Sequence, residues 1–329
     1  MREHVFRYGD TKYGLGMVTI PDDMEGAPVV VLFNAGLLHR AEPYRINVLV
    51  SRHLAQIGYI TIRIDLSGKG DTPARSQTSN RESVALDWAF IKKSLEHEFG
   101  KRKLVLFGLC SGADNAIKIA AQDEDVLGLI LLDPISRQDE SFKLRQIRGV
   151  ITSLYKLRNI HRMLRHRLMK RHQSTVFASN LRDEPTRDDL NDCCQNLVKR
   201  QGRILAFFSD FATKYYNQQG QFGRSMRLEG LEHICEEVYW PRVEHLYSVQ
   251  VHRDRLMGRI VQWGKGNLPH FKGAAVIADE KPNKPIQVRL LADENTSIAF
   301  RGLAVSESPR SAGDSCMASK PALEAKATL

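Results

Sequence analysis

Residues 103–113 read Lys-Leu-Val-Leu-Phe-Gly-Leu-Cys-Ser-Gly-Ala, a short apolar run that leads through two glycines into a helical pattern. This is the context of a nucleophile elbow, in which a buried strand turns sharply into a helix and exposes one side chain. The two backbones approach so closely at such a turn that the positions two before and two after the nucleophile must be small. Gly108 and Gly112 occupy these positions around Cys110, whereas a frame centred on Ser111 would put a leucine at a tight point. The sequence therefore predicts Cys110 as the nucleophile.

Strand-like and helix-like patterns alternate on both sides of the elbow. Apolar runs at 15–20, 28–33, 59–64, 103–107 and 126–132 alternate with helical patterns at 44–57, 81–99 and 113–121, and after residue 200 strands at 203–208 and 235–240 precede a helix at 252–263. Because parallel strands require crossover connections, this order predicts an α/β fold with a mainly parallel sheet between helices. Functional side chains of such sheets lie beyond the carboxyl ends of the strands.

Three segments carry a family resemblance. They are Phe-Asn-Ala-Gly-Leu-Leu-His-Arg at 33–40, Arg-Ile-Asp-Leu-Ser-Gly-Lys-Gly-Asp at 63–71 and Gly-Leu-Cys-Ser-Gly-Ala at 108–113. In this order they resemble α/β-hydrolases over about residues 12–265, and more narrowly the bacterial hydrolases associated with exosortase and exopolysaccharide gene systems, in the serine-aminopeptidase-like branch. The resemblance implies an α/β-hydrolase fold with a helical lid insertion.

The chain is predicted to divide into four parts. Residues 1–135 form the N-terminal half of the hydrolase core, 136–200 a basic helical lid insertion, 201–265 the C-terminal part of the core, and 266–329 an extension of largely disordered character. Within the insertion, the segment 141–172 is amphipathic, basic and without a single acidic residue. In the extension, 286–301 is compatible with a strand pair, while 305–329 is rich in Ser, Ala, Pro and Lys.

Composition limits the partners and the location. The 329 residues carry a net charge of +10, and their five cysteines lack the spacing of a disulfide framework or a zinc site. The charged start and the absence of a long apolar run make a cytoplasmic location the default expectation. No cofactor fingerprint and no metal motif are present, and no aromatic stacking platform accompanies the charge, which argues against nucleic acid. An anionic substrate and an acidic membrane surface remain open as partners of the basic insertion, and the oligomeric state remains open as well.

The general base is expected after the last strand, where this fold carries its histidine. The candidates are His233, His245, His252 and His270, and we favour His245 because it follows the 235–240 strand in the loop that leaves it. Glu244-His245 resembles the Asp-His pair of the family, with glutamate in place of aspartate. A histidine partner and the start of a helix both favour the thiolate of a cysteine, whose free thiol has a pKa near 8.5.

The acid and the oxyanion donors complete the prediction. Asp210, beyond the penultimate strand, is the preferred acid, and Asp133, beyond the strand that follows the elbow, is the alternative. The oxyanion hole should combine the N–H of Ser111 with an N–H from the loop after Phe33, where Gly36 is the favoured donor and Leu37 the second choice. Asp65 and Asp71 are expected to shape the nearby loop rather than to react.

These residues predict acyl transfer through a thioester on Cys110. The first hypothesis is an ester or thioester hydrolase that works by a Cys-His-Asp acyl-enzyme mechanism, with water as the final acceptor. The second keeps the acyl-enzyme but transfers the acyl group to a sugar or amine in exopolysaccharide metabolism. The third, from another class, is a non-catalytic protein that binds a partner on a hydrolase scaffold.

Overall fold

The computed structural model describes residues 1–273 except 12, 77 and 156–181, and for 149–155 it describes the backbone only. Within this part of the chain, eight strands form one sheet. They are β1 (Arg2–Tyr8), β2 (Gly14–Ile20), β3 (Val29–Leu32), β4 (Ile60–Asp65), β5 (Leu104–Leu109), β6 (Val126–Leu132), β7 (Arg203–Phe208) and β8 (Cys235–Tyr239). Their order across the sheet is β1-β2-β4-β3-β5-β6-β7-β8.

The sheet is mainly parallel, which confirms the prediction. β1 and β2 run antiparallel at one edge, and all pairs from β4 to β8 are parallel. The sequence did not indicate β1, because only two of its seven side chains, those of Phe6 and Tyr8, are buried. An edge strand with so few buried residues has too weak an alternation to be read from sequence.

Helices connect the strands and cover both faces of the sheet. Their bounds are α1 (Ile46–Gln56), α2 (Asn80–Phe99), α3 (Ser111–Ala120), α4 (Phe142–Tyr155), α5 (Arg187–Lys199), α6 (Gln221–Met226), α7 (Leu231–Ile234) and α8 (Gln250–Gly273). On one face α2, α3 and α5 share a core with alternate strand residues such as Val31 and Leu106. On the other face α1 and α8 pack against the intervening residues such as Leu32 and Phe107. The result is a three-layer arrangement with the sheet in the middle.

The predicted insertion at 136–200 has a different character at its two ends. It begins with α4, whose Leu144 and Ile147 are exposed. Residues 156–181, which include most of the basic segment 141–172, lie outside the described residues. The predicted strand pair at 286–301 and the tail at 305–329 lie outside them as well. Its last part is α5, which packs against α3 and buries Leu190 and Leu197 in the core. This helix therefore belongs to the layer that covers the sheet.

The C-terminal end of the described chain is helical. The last helix, α8, runs to Gly273 and so continues the core beyond residue 265. Among the described residues, no helix combines the length and the apolar character that crossing a membrane would require.

Candidate active site

The elbow lies at the end of the central strand β5. β5 ends at Leu109 and α3 begins at Ser111, so that Cys110 occupies the turn with φ 53° and ψ −118°, a strained backbone for a residue with a side chain. A Cβ on Gly108 would collide with the backbone of Gly112, and a Cβ on Gly112 would lie 3.1 Å from the carbonyl oxygen of Phe33. The close approach that the sequence predicted is therefore present, and it centres on Cys110.

His245 connects Cys110 to a buried carboxylate. Its Nδ1 lies 2.6 Å from Oδ2 of Asp133, and the imidazole also makes a side-chain hydrogen bond with Cys110. The ring of Phe211 stacks on the imidazole with 4.1 Å between ring centres and 19° between the planes. Hydrogen bonds on both sides and a stacked ring on one face leave the histidine little freedom to rotate.

Asp133 is fully buried at the carboxyl end of β6 and accepts three hydrogen bonds. The N–H of Ser209 donates to Oδ1 at 2.6 Å, the hydroxyl of Ser209 donates to Oδ2 at 2.5 Å, and His245 is the third partner. A carboxylate without solvent requires such donors, because an unpaired buried charge is strongly unfavourable. Ser209 thus fixes the position of the carboxylate that orients His245.

Of the two predicted acids, the structure brings Asp133 to His245 and not the preferred Asp210. Asp210 begins a short 3₁₀ helix, Asp210–Lys214, and its side chain is exposed while its N–H donates to the carbonyl of Val243 at 3.0 Å. The reason is the strand order: β6 is the immediate neighbour of β5, whereas β7 is one strand further from the elbow. A residue at the end of β6 is therefore the nearer partner for a histidine that contacts Cys110.

The remaining histidines lie elsewhere. His233 is on α7, exposed and beside Glu232, and His270 is near the end of α8. His252 bonds through Nδ1 to the carboxylate of Glu244 at 2.9 Å. The same carboxylate accepts from Ser248 and from the N–H of Val249.

The carboxylate of Glu244 supports the loop that carries His245. Burial alone would raise the pKa of Glu244, but its hydrogen bonds lower it to about 2. The ionised group joins the loop that carries His245 to the first turn of α8. It therefore holds the His245 loop in place.

The charge state of His245 follows from its two partners. Burial by itself lowers the pKa of an imidazole, but the hydrogen bonds to Asp133 and Cys110, together with their negative charges, raise the pKa of His245 to about 9. At neutral pH the ring is therefore an imidazolium. Because the pKa is raised in the folded state, this contribution to stability is complete below pH 6.5 and is lost as the pH rises through about 9.

We expect the imidazole resonances of His245 to titrate near pH 9 in a nuclear magnetic resonance experiment. Asp133→Asn removes the negative charge on one side, so the midpoint should fall toward the ordinary histidine value of about 6.5. The spectrum of His245→Asn assigns the resonance. A wild-type midpoint near 6.5, or a midpoint that Asp133→Asn leaves in place, would contradict this electrostatic account.

The predicted oxyanion donors lie beside the elbow. The N–H of Gly36 donates to Oγ of Ser111 at 2.7 Å, so the two predicted donor residues are in direct contact. Ser111 is the first residue of α3, where backbone N–H groups have no acceptor within the helix. Leu37, the second choice, follows with its side chain 62% exposed. The Gly36 N–H therefore lies at the start of α3, beside the residue that follows Cys110.

Two buried carboxylates hold the loop that carries Gly36. Glu42 accepts the N–H of Ala35 at 2.5 Å, and burial raises the pKa of this carboxyl to about 7. Asp65 accepts the N–H of Arg40 at 2.5 Å and the N–H of Asp71 at 3.1 Å. As expected from the sequence, Asp65 organises the loop and does not contact Cys110 or His245 in any hydrogen bond among the described residues.

Solved structures identify the fold. An esterase of Pyrococcus furiosus superposes on this chain with a TM-score of 0.51 at 14% sequence identity, over 80% of this chain and 90% of that one. The chain has the α/β-hydrolase fold. A dienelactone hydrolase from Anabaena variabilis (TM-score 0.45, 15% identity, 80% and 96% of the two chains) and a thioesterase domain from the curacin biosynthetic pathway (0.45, 17%, 80% and 99%) are further structural neighbours. No protein-family model matches the sequence, and no curated protein matches it.

One group of side chains on this α/β-hydrolase fold has the composition of a metal site. His39, Asp65 and Asp71 bring ligand-type atoms within 4.8 Å of one another. The guanidinium of Arg40, however, bonds Asp65 at 2.5 Å and Asp71 at 2.8 Å. The chain itself supplies the positive charge at this position, which fits the loop-shaping role of the two aspartates.

Sequence reasoning missed four residues around the site. Ser209 and Phe211 contact Asp133 and His245, Glu42 holds the oxyanion loop, and Arg182 bonds the carboxylate of Asp114 on α3 and the carbonyl of Asp133. For Ser209 a signal existed, because it lies directly after β7, at the edge where functional residues gather. Phe211 reaches the site from the 3₁₀ helix Asp210–Lys214, and Glu42 and Arg182 reach it from loops; the local sequence does not reveal where these segments lie.

Proposed function

We propose that this protein hydrolyses esters or thioesters through an acyl-enzyme on Cys110, with His245 as the general acid and base and Asp133 as the residue that orients it. The observation that carries the proposal is the continuous hydrogen-bonded series from Cys110 through His245 to the buried Asp133 at a nucleophile elbow. This arrangement has the order of roles found in nucleophilic acyl transfer. The likeness to esterase and thioesterase structures supports the reaction class only through the fold.

Acylation begins from the thiolate and the imidazolium. The Cys110 sulfur attacks the acyl carbonyl carbon, a carbon–sulfur bond forms, and the carbonyl electron pair moves to oxygen as an oxyanion. The N–H groups of Ser111 and Gly36 are the proposed donors to this oxyanion, and Gly36 then exchanges the Ser111 hydroxyl for it. As the intermediate collapses, the bond to the leaving group breaks and the leaving alkoxide or thiolate takes the proton of His245. The products are a thioester on Cys110 and neutral His245.

Deacylation uses the neutral imidazole. His245 removes a proton from water while the water oxygen attacks the thioester carbonyl, and collapse of the second intermediate releases the carboxylic acid and restores the thiolate–imidazolium pair. Asp133 keeps its charge throughout and holds Nδ1 in the protonated tautomer, so that the other ring nitrogen carries the transferred proton. Phe211 covers one face of the ring and limits its motion in both steps.

The test is turnover and adduct formation on one substrate panel. We expect hydrolysis of members of a chain-length series of nitrophenyl esters and of coenzyme A thioesters, with a mass increase of one acyl group on intact protein quenched in acid. Coenzyme A thioesters belong in the panel because the net charge of +10 favours an anionic leaving group. Absence of both turnover and adduct over the whole panel would contradict the proposal.

The same panel decides the final acceptor. Because three segments resemble hydrolases of exosortase and exopolysaccharide systems, sugars and amines are added as competing acceptors. Under the proposal, free acid remains the main product when these acceptors are present at millimolar concentration. An acylated sugar or amine that forms faster than the free acid would assign an acyltransferase instead.

A further inference from the structure

A buried arginine contacts the elbow helix at the candidate site. Arg182, the first described residue after 156–181, has a side chain that is 9% exposed and that donates Nη2–H to Oδ1 of Asp114 at 2.9 Å and Nε–H to its Oδ2. Asp114 is itself fully buried and lies in the first turn of α3, where its N–H donates to the carbonyl of Cys110 at 3.1 Å. The guanidinium therefore binds the first turn of α3, which follows directly after Cys110.

The same guanidinium reaches the residue that orients His245. Nη2 of Arg182 lies 3.4 Å from the carbonyl oxygen of Asp133, and the side chain also interacts with the hydroxyl of Tyr215, which donates to the carbonyl of Pro134 at 3.2 Å. Arg182 thus joins the end of β6 to the start of α3. These two elements carry Asp133 and Cys110, the outer members of the hydrogen-bonded series.

The charge of Arg182 also acts on Cys110. Burial alone lowers the pKa of Arg182, but the hydrogen bonds and charge of Asp114, together with the negative charge of a Cys110 thiolate, raise it. By reciprocity the guanidinium stabilises that thiolate. Among the described residues, the other charged or titratable groups near the site include His245 and its partner Asp133, Asp114 on α3, Tyr215 beside Arg182, and Glu42 in the oxyanion loop.

A second ion pair fixes the same segment without reaching the site. Lys118, one turn further along α3 than Asp114, bonds the carboxylate of Asp183 at 2.7 Å and its carbonyl at 2.9 Å. Lys118 is eight residues from Cys110, which is about 12 Å along a helix. It provides a matched control, because its loss removes the ion pair to Asp183 but keeps the contacts of Arg182 with Asp114 and Asp133.

We propose that Arg182 is a positioning residue of this site: it braces α3 against the end of β6 and places a positive charge at the helical turn that follows Cys110. The inference rests on the proposed function in that Cys110 is the nucleophile. Arg182 touches no reacting atom. Its effect is on the orientation and the charge state of the residues that do.

The experiment measures the alkylation rate of Cys110 by iodoacetamide against pH, with the unfolding free energy of each variant, and needs no substrate. Arg182→Gln leaves the charge of Asp114 unopposed, so the pH at which alkylation reaches half its maximal rate should rise by about one unit. Below that pH, Cys110 should then react about tenfold more slowly than in the wild type. Asp114→Asn leaves the guanidinium of Arg182 unopposed and should lower the pH of half-maximal alkylation rate. Both variants lose stability, because each leaves one buried charge without its partner. Lys118→Gln should lose stability without moving the profile.

Opposite shifts in Arg182→Gln and Asp114→Asn support the proposal. Shifts in the same direction, or two unmoved profiles beside a loss of stability, would overturn it and leave Arg182 a structural residue. If Arg182→Gln does not fold, Asp114→Asn is compared with the double variant, which contains neither buried charge; the proposal requires the single variant to react at lower pH. Failure of the proposed function gives a separate result, since wild-type Cys110 would then alkylate no faster at neutral pH than a free thiol.

Discussion

Cys110→Ala is expected to abolish both turnover and the acyl adduct, whereas Ser111→Ala is expected to lower turnover about tenfold and keep the adduct on Cys110. The first variant removes the only side chain that the elbow presents to His245 among the described residues. The second removes a hydroxyl that accepts the Gly36 N–H, so the oxyanion loop loses one contact but both backbone donors remain. Removing a full oxyanion donor costs about 10²- to 10³-fold, and a smaller effect follows for a contact that only holds one.

The measurement combines kcat and KM on the best ester of the panel with intact-mass detection of the adduct. Of the other cysteines, burial raises the pKa of Cys193, Cys194 and Cys235, so these thiols should not compete for the acyl group. Cys316 lies outside the described residues, and the experiment is therefore done in a Cys316→Ser background. An adduct that persists in Cys110→Ala, or that disappears in Ser111→Ala, would transfer the role of nucleophile to the serine.

Asp133→Asn is expected to lower kcat/KM by about 10²- to 10³-fold, while Asp210→Asn should stay within about threefold of wild type. An asparagine at 133 lacks the charge that stabilises the imidazolium and can present an N–H to Nδ1, which selects the wrong tautomer. In an enzyme with a serine nucleophile, the same aspartate-to-asparagine change lowers kcat about 10⁴-fold. We expect less here because a thiolate can form with histidine alone. Asp210 is exposed and begins a 3₁₀ helix, so an asparagine side chain at this position is compatible with the same backbone.

Ser209→Ala separates the charge of Asp133 from its position. This variant removes one of the three hydrogen bonds to the carboxylate but keeps the carboxylate and the Ser209 N–H bond. We expect an intermediate loss, about tenfold, with unfolding free energies measured on all three variants to correct for stability. A larger loss in Asp210→Asn than in Asp133→Asn would reverse the assignment of the acid and require a different conformation of the loop after β7.

The elbow and the residue at its centre could be predicted from the sequence alone. Gly108 and Gly112 stand in the chain at fixed distances from Cys110, and their need to be small is a local steric requirement that no distant contact alters. The alternating strands and helices, and His245 after the last strand, were predictable for the same reason, since periodicity and chain order are properties of neighbouring residues.

The carboxylate that bonds His245, and the residues that hold Asp133 and α3 in place, could be identified from the three-dimensional fold but not from the local sequence. Asp133 and Asp210 both follow apolar strands, and their local sequences do not rank them. The strand order β5-β6-β7 distinguishes the two aspartates, because it places Asp133 one strand from the elbow and Asp210 two strands away. Arg182 reaches Asp114 across 68 residues of sequence, and Ser209 reaches Asp133 across 76. Such contacts depend on how the crossovers pack against the sheet, which is a property of the whole chain rather than of any segment.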